Sequence, residues 1–357
     1  MDFALSEELQ MIRDMARDFV TNELLPIESQ VLVLDGQPGK RGAPIPREKY
    51  DALKKKAVDQ GLWAMTAPES LGGGGLSTLG ACLVAEELGK TFVDFDFGDV
   101  PPILFEANAE QIEKYLKPAI AGEKEIALAL REPNGDEITM RATRDGDEWV
   151  LNGTKLAKDA DIHLVFARAD IGATCFIVEN LVTQDRNLIL NDVRVPASNI
   201  LGEIGKAFAL GKKYQNARWV RAAARQVGIA ARLLEQGSQY ARDWKSLGQP
   251  LSVRPAIRRD LADMAIEIDA ARGLVYQAAW VIDEGKDARE AAPRAYLFAA
   301  EMAQRAMDRT IAIYGGPAHA ADLPMWRVYD GNGKSNDQIL EFHRAHIAHE
   351  LIEGGGQ

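Results

Sequence analysis

Apolar positions recur at two spacings along this chain, and the spacing changes twice. In the first third they return every three or four residues. Within SEELQMIRDMARDFVTNELLPIE, Leu9, Ile12, Met15, Phe19 and Val20 form one stripe, as in a helix with one buried face. Ser6 suits its N-cap and Pro26 its end. A second helix is expected after Pro46, through REKYDALKKKAVDQGLW. A third, apolar one is expected from Leu79 to Leu88, behind the four glycines Gly72 to Gly75. Glycine-rich loops before helices can cradle phosphate. This one lacks the Lys-Ser/Thr of a P-loop and follows no clear strand, so a mobile turn is expected instead.

From about Ile126 to Val195 the period becomes two. EITMRATRDGDEWVLNGTKL alternates around turn residues Asp145-Gly146-Asp147 and again at Asn152-Gly153, and IHLVFARA, TCFIVEN and NLILNDVRV read as further strands. Short strands at this spacing imply a small barrel or sandwich. From Gly202 onward the helical period returns. One long helix runs to Trp244, with Tyr240, Trp244 and Leu247 on one face and Gly248 and Pro250 as its stop. A second carries Leu261, Met264, Ile268, Ala271 and Val275 on one side. A third follows Pro293 and ends at Gly315, and a last one covers roughly Asp337 to Ile352. Long helices with short links argue for a four-helix bundle. The fold class expected is mainly α with a small β domain. Its parts are an N-terminal helical domain over 1–124, a middle β-barrel or sandwich over 125–203 and a C-terminal four-helix bundle over 204–357.

Composition narrows the partners. The chain has 357 residues, 46% apolar and 27% charged, with a net charge of -11. That charge argues against nucleic acid and against an anionic membrane surface. No apolar run reaches membrane-spanning length, and the acidic start MDFALSEELQ lacks a signal-peptide core, so a cytoplasmic location is expected. Cys82 and Cys175 stand in apolar surroundings and read as buried reduced thiols. His343, His346 and His349 recur every three residues on the last helix. A solvated face is expected there, with no metal site.

The order of parts, and the words inside them, resemble the acyl-CoA dehydrogenase family over nearly the whole chain. The words are APESLGGGGLSTLGACLVAEELGK, GDEWVLNGTK, LNDVRVPASNILGEIGKAF, YARDWKSLGQPL, LADMAIEIDAAR and IYGG. The resemblance implies α,β-dehydrogenation of an acyl-CoA thioester with FAD. A carboxylate removes the α-proton, a polarised thioester carbonyl makes that proton acidic, and the flavin carries the redox step. It also implies electron transfer to a flavoprotein carrier, and tetramers in which each flavin spans two subunits.

Several positions depart from the family's pattern. The strand motif Thr-Glu-Pro is replaced by Arg131-Glu132-Pro133, followed by Asn134-Gly135-Asp136. After NGTK come Leu156-Ala157-Lys158-Asp159, where Ala157 offers no stacking face and Asp159 would put an anion near the flavin ring. The family's pyrophosphate-binding Arg falls on Trp244, whose indole has one donor and no charge. Arg242 and Lys245 flank it, and the Phe that follows falls on Leu247. Ala312 replaces a Gln, while Gly315 and Gly316 remain. The substrate-side Arg falls on Trp219. The resemblance thus leaves Arg131, Lys245, Gly315 and Gly316 as cofactor-binding candidates. The catalytic base falls on Asp337, matched from the last helix, or on Asp330, in Tyr-Asp-Gly. A turn residue at Asp330 and a helix-start acid at Asp337 are the plainer readings. An Asp for a Glu shortens the reach by about 1 Å, which costs on the order of a hundredfold in rate.

Three functions follow from the resemblance. The chain is the flavin-poor subunit of a heterotetrameric acyl-CoA dehydrogenase acting on a bulky thioester such as a steroid side chain, beside a homologous subunit. Or it is a self-sufficient homotetramer. Or it is a flavin-free scaffold that binds a CoA thioester. Losses in both halves of the flavin site, with the packing words intact, favour the first.

Overall fold

The computed structural model describes residues 4–33, 45–98, 100–133, 135, 137–184, 187–319 and 337–353. Helices α1 (Glu7–Phe19), α2 (Leu25–Val33), α3 (Arg47–Asp59) and α4 (Thr78–Gly89) come first, followed by the short α5 (Ala109–Gln111) and α6 (Lys117–Ile120). Strands β1 (Ile126–Ala129), β2 (Arg141–Asp145), β3 (Glu148–Leu156), β4 (Ile162–Ala169), β5 (Gly172–Glu179), β6 (Thr183–Gln184), β7 (Asn187–Pro196) and β8 (Ile200–Leu201) form the middle. Then come α7 (Ala207–Asp243), a small hairpin of β9 (Lys245–Ser246) and β10 (Gln249–Pro250), and α8 (Pro255–Asp283), α9 (Ala291–Tyr314) and α10 (Asp337–Glu353). Helical, β and helical parts follow one another as the resemblance implies. The chain divides into two compact units, one of Met1–Leu53, Ser77–Asp96 and Asn216–Gln357, the other of Lys54–Leu76 and Phe97–Gln215. Among the described residues, no helix is long and apolar enough to cross a membrane.

In the first unit, Ser6 caps α1 by accepting from the Leu9 amide at 3.3 Å. Pro26 does not end this helical stretch. A π-turn over Val20–Leu24 intervenes, and Pro26 follows it as the second residue of α2, where the widened turn accommodates a residue with no N–H to donate. Helix α4 is buried from Gly80 to Gly89, which explains its apolar run Ala81–Ala85, while the buried Glu86 is paired with Arg272 and Glu87 with Arg17 and Lys90. Ser77 caps it, and the Asp283 carboxylate at the end of α8 accepts from the Thr78 and Leu79 amides at 2.7 and 2.9 Å. Helices α4 and α7 touch backbone to backbone. A Cβ added at Gly228 would lie 1.9 Å from the Glu86 carbonyl oxygen, and one at Gly89 2.3 Å from that of Arg225. Beside this contact, Arg272 donates through Nη2 at 2.9 Å and Nε at 3.0 Å to Glu86, which also accepts from the Tyr276 hydroxyl at 3.4 Å. Small residues of α7, α8 and α9, among them Ala223, Ala230, Ala271, Ala299 and Ala303, fill the bundle core.

In the second unit the sheet order is β6-β7-β3-β2-β4-β5-β8, with β1 parallel to β4. The β2–β3 hairpin turns at Gly146 (φ +65°), as its sequence implies. Asn152-Gly153 is not a turn. It lies inside β3, where the register against β7 shifts between Leu151 and Gly153, an ordinary place for glycine in a bulge. Strand β4 is covered on both faces: Ile162, Leu164 and Phe166 belong to one apolar cluster, Val165 and Ala167 to another. A strand of that kind reads as a continuous apolar run. Gly72, Gly73 and Gly75 donate their amides to Glu69, Pro68 and Ala67 carbonyls. The phosphate-cradle reading of this loop thereby loses three of its four glycine donors.

Candidate functional site

Helix α7 stops at Asp243, and the Trp244 amide still donates to the Tyr240 carbonyl at 2.8 Å. The chain then reverses through β9 and β10, closed by the Leu251 amide on the Trp244 carbonyl at 3.0 Å. Leu247 is therefore not on the helical face expected for it. It occupies the hairpin turn with φ +54°, next to Gly248 at +79°, and is 93% exposed. Two positive φ values fit a type I′ hairpin, but Leu is an unfavoured residue there.

Trp244 lies against Tyr240 with ring centroids 5.5 Å apart and planes within 11°, and Tyr240 lies on Tyr314 at 4.0 Å and 16°. The three rings make one stack. The Tyr314 hydroxyl donates to the Gln236 carbonyl at 3.3 Å, fixing the inner ring. Burial, with the Tyr240 hydroxyl nearby, pushes the Tyr314 phenol above its ordinary range. The outer ring, Trp244, is 51% exposed. Gly315 and Gly316 follow Tyr314 directly, both exposed, and a Cβ on either would meet nothing within 4 Å. Lys245 is exposed on β9. The stack thus brings two of the predicted elements, Lys245 and the Gly315-Gly316 pair, to one end of the bundle. The group between them is uncharged and aromatic. A pyrophosphate carries two negative charges, and an indole N–H supplies neither charge nor a bidentate donor. The residues at this position do not fit a flavin pyrophosphate held by a helix cation.

Arg131 belongs to the other unit. It is exposed, just after β1, and its carbonyl accepts from the Leu156 amide at 2.8 Å. Its neighbour Glu132 is buried and saturated. It accepts from Lys155 Nζ at 2.7 Å, from the Thr139 and Met140 amides at 2.9 Å each, and from the Thr139 hydroxyl. Lys155 also donates to the Leu130 carbonyl at 3.1 Å and is wholly buried. Burial alone would raise the Glu132 pKa, but hydrogen bonds from Lys155, Thr139 and Met140 outweigh it and hold the carboxyl below its usual range. The Glu132–Lys155 pair therefore fixes the segment carrying Arg131 against the end of β3. The sequence carried a signal for it: Lys155 shares the inward parity of Trp149 and Leu151, and an inward lysine requires a carboxylate. Ala157 is buried and offers no ring, as its identity implies. Asp159 is not a bare anion, since its carboxylate accepts from the Thr183 amide at 3.2 Å and from the Thr183 hydroxyl.

Asp330 lies outside the described residues. Asp337 is the first residue of α10, and its side chain is likewise outside them. Where the substrate-side Arg was expected, Trp219 meets the His343 ring at 4.5 Å, with Tyr296 at 4.7 Å and Phe342 at 5.6 Å from the same ring. His343 is fully buried, which corrects the expected solvated face at that residue, whereas His346 is half-buried and His349 exposed. Its two nitrogens have no hydrogen-bond partner among the described residues. Burial, with His346 adding to it, lowers its pKa from 6.5 to about 4, so the ring is neutral at pH 7. His346 instead bonds the Arg289 carbonyl at 3.1 Å. Cys82 and Cys175 are buried free thiols, as read from their surroundings.

Comparison with known proteins matches the acyl-CoA dehydrogenase N-terminal domain over residues 6–123 and the acyl-CoA dehydrogenase C-terminal domain over residues 211–332. (R)-benzylsuccinyl-CoA dehydrogenase of Thauera aromatica is 30% identical over 404 residues, covering 99% of this chain and 98% of its own. The caffeyl-CoA reductase-Etf complex subunit CarC of Acetobacterium woodii is 30% identical over 360 residues, covering 91% and 92%. The structure of butyryl-CoA dehydrogenase from Megasphaera elsdenii matches with a TM-score of 0.83 at 28% identity, over 99% of this chain and 100% of the other.

Proposed function

We propose, from the premise that this chain belongs to the acyl-CoA dehydrogenase family, that it is one subunit of an FAD-dependent acyl-CoA dehydrogenase whose flavin is held mainly by a homologous subunit. The family's members are flavin-dependent oxidoreductases acting on CH–CH bonds. The observation that carries the proposal is Trp244. A stacked indole stands where a phosphate-binding cation belongs, while the helix packing around it is intact. Under this reading the chain contributes an interface and a wall of the acyl-CoA pocket; Lys245, Gly315 and Gly316 in one unit, and Arg131 in the other, are each candidate contacts for a flavin held by a partner. The enzyme is cytoplasmic. Its electrons pass to an electron-transfer flavoprotein, as the name of the Acetobacterium relative, a subunit of a reductase-Etf complex, suggests. The first thioesters to try are bulky ones such as steroid side chains.

The test is to purify the chain alone and together with its homologous subunit, and to record visible spectra and acyl-CoA turnover. A colourless chain that gives a yellow, active enzyme only in the complex is the expected result. A yellow homotetramer active by itself overturns the proposal, and a colourless complex replaces it with a scaffold. Asp337 and Asp330 are the two acids assigned to the base. Loss of dehydrogenation in Asp337→Asn or Asp330→Asn identifies it, while full turnover in both leaves a helix-start acid and a turn residue.

A further inference from the structure

Helix α10 is anchored to its unit by one buried side chain. Of its described side chains, from Ile339 to Ile352, His343 alone is buried, while Phe342, Leu351 and Ile352 are exposed. Helix α4, by contrast, buries ten residues in succession. The other ties of α10 lie nearer the surface. Leu340 is half-buried against the bundle core, Arg344 pairs with Glu301 of α9, and His346 bonds the Arg289 carbonyl at 3.1 Å. Ion pairs with this much solvent around them contribute little. The anchor is therefore the His343 ring, set between Trp219 of α7 at 4.5 Å and Tyr296 of α9 at 4.7 Å. A leucine would fill that place at no polar cost. The imidazole instead buries two nitrogens that have no hydrogen-bond partner among the described residues, which opposes docking even when the ring is neutral. A charged ring there opposes it far more. Such a side chain suits a switch better than a fixed anchor.

The groups around the ring offer no counter-ion for a proton. On α10 the titratable neighbour is His346, and its charge acts against a charge on His343. On α9 it is Tyr296, whose phenol burial keeps protonated; Glu301 of the same helix is engaged by Arg344. On α7 it is Arg218, a cation whose charge reaches Tyr296. Among the described residues no carboxylate acts on the His343 ring.

We propose that His343 is a latch opened by a proton: α10 stays on α7 and α9 while the ring is neutral, and uptake of a proton from solvent by the imidazole releases α10 with the rest of its unit still folded. The docked ring titrates at about 4, against an ordinary 6.5 for a released one. Docking is at full strength above pH 6.5 and is lost as pH falls toward 4, weakening by up to about 300-fold over that range. Helix α10 begins at Asp337, so release also displaces one of the two acids assigned to the base. The latch requires neither flavin nor turnover, so it stands or falls separately from the catalytic reading.

A nitroxide spin label on α10 of the full chain reads release directly. Ala348→Cys places the label on an exposed position of the helix, and the buried Cys82 and Cys175 do not compete. Asp308→Cys, exposed on α9, is the control. Every chain also carries Glu301→Gln, so that the Arg344 pair cannot respond to pH. Between pH 7 and pH 4 the α10 label gains mobility, the α9 label keeps its own, and return to pH 7 restores the starting spectrum. With His343→Leu or His343→Phe, which have no proton to take up, the α10 label stays constrained throughout. An α10 label unchanged down to pH 4, one already mobile at pH 7, equal loosening in the His343 variants, or loosening of the α9 label at the same pH would each overturn the proposal.

Discussion

The interior of this protein and the end of its helix bundle follow opposite rules. Inside, contacts are closed. Gly228 lies so near α4 that no side chain fits, Arg272 and Tyr276 surround Glu86, and Glu132 accepts from Lys155, Thr139 and Met140. At the bundle end, Trp244 and Leu247 are exposed and Gly315 and Gly316 have open space. A closed contact resists change because any replacement creates a clash or an unpaired charge. An open end tolerates exchange of a cation for an indole without loss of fold. The scaffold of a family thus outlasts the chemistry placed on its rim.

The sharpest way to break this contrast is Lys155→Met. It leaves a buried carboxylate without its cation and is expected to cost about 3–5 kcal/mol in chemical denaturation, far more than any change at the bundle end. Next, Gly228→Ala forces α4 and α7 apart and costs about 3 kcal/mol. Gly316→Ala, where space is open, stays within about 0.5 kcal/mol. Equal losses at the two glycines would erase the distinction.

His343 extends the interior rule to pH. Its folded pKa of about 4 lies below the ordinary 6.5, so the unfolded chain binds the extra proton. Its contribution is fully present above pH 6.5 and is lost as pH falls toward 4, by about 3 kcal/mol. Between pH 7 and pH 4 the melting temperature of wild type should therefore fall relative to that of His343→Leu, which has no proton to take up. A constant difference would show that the ring is not held neutral. The smallest effect belongs to the rim. Leu247→Asn suits the positive φ of the hairpin and raises stability by about 0.5–1 kcal/mol. A loss of stability there would mean that Leu247 makes a contact within the chain.

The elements were largely legible in the sequence because period and capping are local. The stripe from Leu9 to Val20, the face from Leu261 to Val275 and the Gly146 turn all depend on neighbours a few residues away. What escaped depends on distant partners. Pro26 looks like a stop unless the π-turn before it is known. Asn152-Gly153 looks like a turn unless β7 is set beside it. His343 belongs to a periodic histidine set, and only Trp219 and Tyr296, from two other helices, make it a core residue. At the candidate site, the loss of charge at Trp244 was legible from its identity, but not that Tyr240 and Tyr314 continue it as a stack. The two candidate bases fall where side chains are not described, and they rest on mutagenesis.

The Asp283 carboxylate has a consequence for how the chain is made. It completes the start of α4 from 205 residues downstream. During synthesis α4 leaves the ribosome long before Asp283, and although α1 precedes it, its buried apolar residues Ala81–Ala85 and Leu88 have neither α7 nor α8 to cover them. The nascent chain therefore carries a partly uncovered apolar helix face until α8 has been translated. Truncations that end before α8 should be recovered bound to chaperones or in aggregates rather than as a free N-terminal fragment.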